Sequence, residues 1–246
     1  NRATHDPLTG LYNKEFFYEK VRQRLDEQPE EQFILICSDI GNFKMVNDVF
    51  GMECGDRVLI RIARALHKMC KPDQIYGRIG NDGFALLMKK SDYGEEYFQN
   101  VPQSKVYVEK DIEYPIRLYL GVYEIVQKDL PVSGMCDRAK MAIATIKGNY
   151  QKRLAYYDEK LRQSVLNEQE IMGELDDAIA SGQFHIYLQA QVNGQGESHG
   201  AEALVRWIHP KKGYLPPSAF IDILEKNGAI VRLDRYIWEL ACQKLR

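Results

Sequence analysis

Residues 78–84, Arg-Ile-Gly-Asn-Asp-Gly-Phe, sit between two strand-like runs, Gln74–Tyr76 and Phe84–Met88. Glycine and Asn/Asp crowded between such runs mark a chain reversal, so this stretch reads as a hairpin tip with Asp82 held at the turn. Far upstream, Asp39 follows the apolar run Phe33–Cys37 and precedes Phe43-Lys44 and Asn47-Asp48. A fold that makes the two runs sheet neighbours brings two carboxylates together at strand ends, an arrangement suited to a divalent cation. Asn81 and Gly83 flank Asp82 where a working site would be expected to carry other residues. The loop therefore reads as a nucleotide site that keeps its metal carboxylates and has lost part of its chemistry.

The rest of the pattern predicts an α+β fold. Asn13 is placed to cap a helix carrying Phe16, Phe17, Val21 and Leu25 to about Gln28. Phe33–Asp39 reads as a buried strand. Val58, Ile62, Ala65, Leu66 and Met69 recur at three and four residues, which makes Asp56–Cys70 an amphipathic helix. Lys105–Val108 and Ile116–Ile125 read as strands, Val132–Ile146 as a helix stopped by Lys147-Gly148-Asn149, and Leu154–Tyr157 as a last short strand. The order of elements, with another helix after the hairpin, gives a mainly antiparallel sheet with flanking helices over residues 1–157.

From Asp158 the text changes. Leu161, Val165, Leu166, Ile171, Leu175 and Ile179 sustain a helical pattern without proline to Gly182, so 158–182 reads as a long connecting helix whose charges over Glu168–Asp177 form a solvated face. Residues 183–246 then give two strands, Phe184–Val192 and Ala201–Trp207, and two short helices opened by Pro210, Pro216 and Pro217. The strands are apolar on both faces, as in a parallel sheet that expects neighbours. With about 65 residues this block buries only a modest core, and it reads as the opening of a larger α/β domain.

Composition excludes several classes. A 45% hydrophobic, 28% charged chain is an ordinary globular protein, and a net charge of −2 gives no general case for nucleic-acid binding. No run of about 18 apolar residues is present to span a membrane. The start, Asn-Arg-Ala-Thr-His, lacks an initiator Met and a signal sequence, so the chain is expected to be a piece of a longer protein. Five scattered cysteines without C-x-x-C spacing fit reduced thiols in a cytoplasmic protein. The five histidines have no metal-type spacing and read as surface or packing residues.

Three ordered stretches carry a resemblance. Asp6-Pro7-Leu8-Thr9-Gly10-Leu11-Tyr12-Asn13, Asp39-Ile40-x-x-Phe43-Lys44-x-x-Asn47-Asp48-x-x-Gly51-x-x-x-Gly55-Asp56, and Arg78-x-Gly80-Asn81-Asp82-Gly83-Phe84 resemble the GGDEF family, the diguanylate cyclases that condense two GTP into cyclic di-GMP. The resemblance implies the cyclase-like palm fold. It also implies a Mg²⁺ or Mn²⁺ site made by Asp39, the Ile40 carbonyl and Asp82, with Asp82 also the catalytic carboxylate. Phosphate contacts are implied at the Phe43 and Lys44 amides and along Gly80 and Asn81, and guanine recognition at Asn47 and Asp56. Hard oxygen ligands and a helix start suit phosphate and its cation, and an acceptor carboxylate suits the guanine N1–H and N2–H₂ donors.

Gly200–Trp207, with Gln189 before it and Pro210-x-x-Gly213 after it, is similar to the start of an EAL domain, the cyclic di-GMP phosphodiesterase family with a TIM-barrel-like fold. The similarity implies Glu202 as a metal ligand, Arg206 as a phosphate contact and Gln189 as a substrate contact, with Ala190 where Pro is usual. The remaining family ligands are expected beyond Arg246, so this block is not expected to hydrolyse cyclic di-GMP.

The departures set the functional expectation. Asn81 replaces the family's second Gly, where φ > 0 and close approach to a ligand would favour glycine. Gly83 replaces its Glu, Gly41 a frequent second Asp and Met52 a usual His. Asp137-Arg138-Ala139-Lys140 departs from the family's phosphate-contacting pattern, with Lys147 as the candidate substitute. Lys71-Pro72-Asp73-Gln74 stands in place of the Arg-x-x-Asp product-inhibition motif. Loss of several contacts should abolish turnover. The expectation is a degenerate, GTP-binding regulatory domain beside a partial EAL domain. The alternatives are a weak diguanylate cyclase, acting as a homodimer, and a ligand-free structural or dimerising module.

Overall fold

A computed structural model describes residues 3–95, 98, 104–109, 112–149 and 151–244, with the backbone alone for 104–109 and 112–114. The chain divides into two compact units, Asn1–Arg162 and Gln163–Arg246. The helix expected between the hairpin and the next strands, and the last residue, Arg246, lie outside the described residues.

In the first unit, helix α1 (Lys14–Glu27) precedes strand β1 (Phe33–Ile40), then come α2 (Phe43–Phe50), α3 (Met52–Met69), β2 (Ile75–Arg78) and β3 (Phe84–Lys89). The backbone ribbon β4 (Ser104–Glu109) and β5 (Ile112–Ile116) stands apart as a two-stranded pair, before β6 (Leu118–Glu124), α4 (Val132–Ile146) and β7 (Leu154–Tyr156). The main sheet runs β2-β3-β1-β6-β7, antiparallel throughout except for the parallel β6–β7 pair. This is the mainly antiparallel α+β sheet that the sequence predicts.

Strand β1 is buried on both faces, and its side chains sort by strand alternation. Phe33, Leu35 and Cys37 pack with Phe17, Val21 and Leu25 of α1 and with Met135, Ala139 and Ile143 of α4. Ile34 and Ile36 turn the other way, towards Met69 at the end of α3. Gly121 of β6 sits opposite Cys37, and a Cβ there would come within 1.9 Å of the Ala139 carbonyl oxygen. Glycine at that point lets α4 settle directly on the sheet.

The local signals explain most boundaries. Asn13 Oδ1 accepts from the Phe16 amide at 2.9 Å, the cap read from the sequence. The third helix begins at Met52 rather than Asp56, because Met52 and Glu53 are exposed and give its first turn no apolar period. Gly51, at φ 81°, separates it from α2.

The second unit is built on α5 (Glu159–Ala180) from Gln163 onward, β8 (Phe184–Val192), β9 (Ser198–His209), β10 (Gly213–Leu215), α6 (Ile221–Lys226) and α7 (Ile230–Lys244). The sequence reads α5 as a connector, but Ile171, Leu175 and Ala178 are core residues of this unit, packed with Phe184, Trp207, Phe220, Leu224 and Leu233. Trp207 is fully buried, with its indole N–H donating to Gln183 Oε1 at 2.9 Å, whereas Trp238 on α7 is 74% exposed. His209 is buried as a packing residue. Its Nδ1 accepts from the Lys211 and Lys212 amides at 3.1 Å, so the proton resides on Nε2, which donates to Glu174 Oε2 at 2.6 Å.

The expected parallel pairing is corrected. β8 and β9 form an antiparallel hairpin, and β10 returns antiparallel to β9. The loop between them is fixed by Asn193 Oδ1, which accepts from the Gln195 and Glu197 amides, and by Gly196 at φ 82°. Apolar residues on both faces misled the reading because the far end of the ribbon is uncovered: Tyr187, Leu188 and Val192 are exposed. The final helix, α7, is also longer than expected, with 15 residues. Among the described residues, no helix is long and apolar enough to cross a membrane.

Candidate nucleotide and metal site

Strand register builds the site. Ser38 of β1 pairs with Phe84 of β3, the last pair of that ladder, so Asp39, still paired with Tyr119 of β6, stands beside the Asp82-Gly83 turn. The Phe84 amide donates to Ser38 Oγ at 3.3 Å, which ties the base of the hairpin tip to β1. Ile40, Phe43 and Phe84 share one apolar cluster with Val46, Cys54 and Val58, so the end of β1, the start of α2 and the start of β3 are held on a common core. Phe43 is itself buried; what it offers a ligand is its amide, at the first residue of α2.

Arg78 fixes the hairpin tip, a role the sequence did not reveal. Its guanidinium donates to the Gly80 carbonyl at 3.1 Å and to the Asn81 carbonyl at 2.6 Å, and pairs with Asp6 at 3.2 Å. Asp6 also accepts from the Thr9 amide and hydroxyl. Burial pushes the Asp6 carboxyl up, but the Thr9 hydrogen bonds and the Arg78 charge outweigh it and hold the group below its usual value. The N-terminal turn Asp6–Asn13 thus reaches the site through Arg78.

Positive φ is not used by the tip. Among the described residues the only non-glycine with positive φ is Asn42, at 56°, and neither Gly80 nor Gly83 adopts it. The expectation that a positive φ favours glycine at position 81 is therefore corrected: Asn81 is exposed and its φ is not positive. Asn42 carries the unusual conformation instead. It caps α2 without a side-chain hydrogen bond, so its side chain does not occupy the first amides of α2, and a helix start left so suits an anion.

Asp39 and Asp82 form the acidic centre. Burial raises the Asp82 pKa first, and the charge of Asp39 raises it further, while Lys147 and Arg78 act in the opposite direction. Lys147 Nζ lies 2.9 Å from Asp39 Oδ1 and 3.0 Å from Oδ2. It donates in line only to Oδ2; Oδ1, shut off from solvent, receives no directed hydrogen bond. A buried carboxylate oxygen left in that state beside a second carboxylate fits a divalent cation. Among the described residues no group of three or more His, Cys, Asp or Glu side chains gathers to hold a metal, so the protein offers two carboxylates and main-chain oxygen, with the balance left to ligand or water.

Asn47 stands on α2 and Asp56 in the first turns of α3, on the two sides of the α2–α3 corner. Asn47 Oδ1 lies where a Cβ on Gly55 would stand, 1.9 Å away, so glycine at 55 is what lets the Asn47 side chain turn towards Asp56's helix turn. Asp56 lies inside α3 rather than at its cap. Lys44 is exposed on the same helix as Asn47. Gly83 is a vacancy with room: a Cβ there would be 3.5 Å from the Ser38 carbonyl and 3.8 Å from Ile79 Cγ1. Gly41 has none, since a Cβ would meet the Tyr119 ring at 2.9 Å.

In the second unit, Gln189 and Glu202 face each other across β8 and β9. Arg206 stands further along the same face of β9, 5.8 Å from the Tyr187 ring centroid. Gln189 and Glu202 are open to solvent and Arg206 is half-buried.

The diguanylate cyclase GGDEF-domain model matches residues 3–153. The chain belongs to the GGDEF family. The EAL-domain model matches residues 172–246, further along the chain. Among curated relatives, the chain is 25% identical over 258 residues to the bifunctional diguanylate cyclase/cyclic di-GMP phosphodiesterase MucR of Pseudomonas aeruginosa, covering 99% of this chain and 37% of MucR. It is 26% identical over 243 residues to the cyclic di-GMP phosphodiesterase PdeR of Escherichia coli, covering 96% of this chain and 36% of PdeR. The chain thus spans about a third of the length of the curated relatives it matches.

Solved structures agree on the fold. The GGDEF domain of TpbB from Pseudomonas aeruginosa superposes with a TM-score of 0.58 at 23% identity, covering 66% of this chain and 99% of that one. A Vibrio cholerae LapD fragment comprising an S helix, GGDEF and EAL, bound to c-di-GMP, covers 99% of this chain and 58% of its own at a TM-score of 0.56 and 20% identity. GGDEF followed by EAL is the order of the present chain.

Proposed function

We propose that the GGDEF unit binds GTP with Mg²⁺ or Mn²⁺ and serves as a regulatory module in a cyclic di-GMP signalling protein, without joining two GTP molecules itself. The observation that carries this reading is the Asp39–Asp82 pair, with its buried oxygen lacking a directed donor, next to a Gly83 that supplies no acid. When bound, the cation would neutralise phosphate charge. The protein's part is to hold that complex. Asp39, the Ile40 carbonyl and Asp82 take the cation, the Phe43 and Lys44 amides take phosphate, Gly80 and Asn81 border it, and Asn47 and Asp56 take the guanine edge. The matching of MucR and PdeR across both units supports a place beside a phosphodiesterase domain. For Gln189, Glu202 and Arg206 the proposed role is contact with a cyclic dinucleotide, on a face that needs further ligands before it can hydrolyse one.

Isothermal titration of the whole chain with GTP, with and without Mg²⁺, tests the reading. Mg²⁺-dependent binding, without a cyclic di-GMP peak on chromatography, is the expected result; absence of any GTP affinity defeats it. One observation favours a weak cyclase instead: the tip backbone is unstrained and Gly83 has space, so the loop is intact although its acid is missing. A cyclic di-GMP peak that disappears in Asp82→Ala would establish that second reading.

A further inference from the structure

The Lys147–Asp39 contact stands where the proposed metal ion would bind. Lys147 ends α4: its amide donates to the Ile143 carbonyl at 3.0 Å, and the helix stops at Gly148, with φ 88°. The Gly148 amide donates to the Tyr119 hydroxyl at 3.3 Å, so the backbone under Lys147 is anchored to β6. The side chain beyond it is 53% exposed, and its ammonium reaches back to within 3.0 Å of both Asp39 oxygens. One carboxylate of the pair, Asp39, therefore already holds a cation supplied by the chain, and its charge also acts on Asp82.

We propose that Lys147 is a tethered counter-ion occupying Asp39 of the carboxylate pair, so that loading a divalent ion there is an exchange of one cation for another. This rests on the reading of Asp39 and Asp82 as the metal site. A monovalent ammonium and a divalent ion compete for the same oxygens, and their mutual repulsion at this range adds to the competition. Displaced from Asp39, the Lys147 head swings into solvent at the mouth of the site, where a polyphosphate arriving with the ion gives it a new partner. Metal and triphosphate then assist each other's binding through one side chain, and metal without nucleotide binds poorly.

Mn²⁺ titration of the full chain, followed by electron paramagnetic resonance with Mg²⁺ competition and no nucleotide present, tests this. Lys147→Gln should bind Mn²⁺ about three- to tenfold tighter than the unsubstituted chain, whereas Lys147→Arg, which keeps the charge, should not. Adding GTP should tighten Mn²⁺ binding more in the unsubstituted chain than in Lys147→Gln. Equal or weaker Mn²⁺ binding by Lys147→Gln, in a chain that does bind the ion, overturns the exchange while leaving the metal site standing. Mn²⁺ binding that survives Asp39→Asn, or no binding by any variant, removes the site itself and the proposal with it. Far-ultraviolet circular dichroism of each variant confirms that a changed affinity is not a lost fold.

Discussion

Asp82 and Asp6 titrate in the same acid range with opposite consequences for stability. Asp82 is raised above its ordinary 3.8, by burial first and by Asp39 second, so the folded chain holds that proton more tightly than the unfolded chain. The stability this contributes is complete below 3.8 and is lost as pH rises through the higher folded value. Asp6 is lowered, so its contribution is present above 3.8 and is lost as pH falls through its folded value. Urea midpoints measured from acid to neutral pH should show Asp82→Asn gaining on the parent as pH rises, and Asp6→Asn losing. Parallel curves for Asp82→Asn and the parent would mean that Asp82 is not shifted. Glycines separate just as sharply. A Cβ at Gly83 has only ordinary contacts to make, so the stability of Gly83→Ala should stay within about 0.5 kcal/mol of the parent. Gly121→Ala drives a methyl into the Ala139 carbonyl and should cost about 3 kcal/mol or more, read from the same urea midpoints.

At the level of elements, helix α5 is the informative case. Its apolar residues Ile171 and Leu175 are legible in the sequence as one helical face, but what that face covers is not, because a period of 3.6 identifies a stripe and not its partner. The same limit explains β8 and β9, where apolar residues on both faces suggested parallel neighbours and the chain forms a hairpin with an open end. The convergence of Asp39 and Asp82 was legible because register brings the end of β1 beside the start of β3; the partners of Arg78 and of Lys147, the latter read from the sequence only as a substitute phosphate contact, were not, since both act through long side chains whose targets lie elsewhere in the chain. Asn42 was hidden for a different reason: a left-handed residue other than glycine leaves little mark in composition. Leu175→Ala, at a fully buried position, should destabilise the second unit by about 2–5 kcal/mol. The urea midpoint of that unit is the measurement, and an unchanged midpoint would remove α5 from its core.

On the scale of the whole molecule, two units with separate cores imply two unfolding steps rather than one. Calorimetry should resolve two transitions, with Mg²⁺ and GTP together raising only that of the GGDEF unit. A single transition moving as one with ligand would refute independent folding. Both tryptophans of the chain, buried Trp207 and exposed Trp238, belong to the second unit. Indole fluorescence excited at its red edge is therefore blind to the GGDEF unit and superimposes two colours in the other: a blue-shifted emitter from the core and a red-shifted one from the surface of α7. Any optical assay of nucleotide binding at Asp39 and Asp82 has to rely on tyrosine, or on an indole introduced for that purpose.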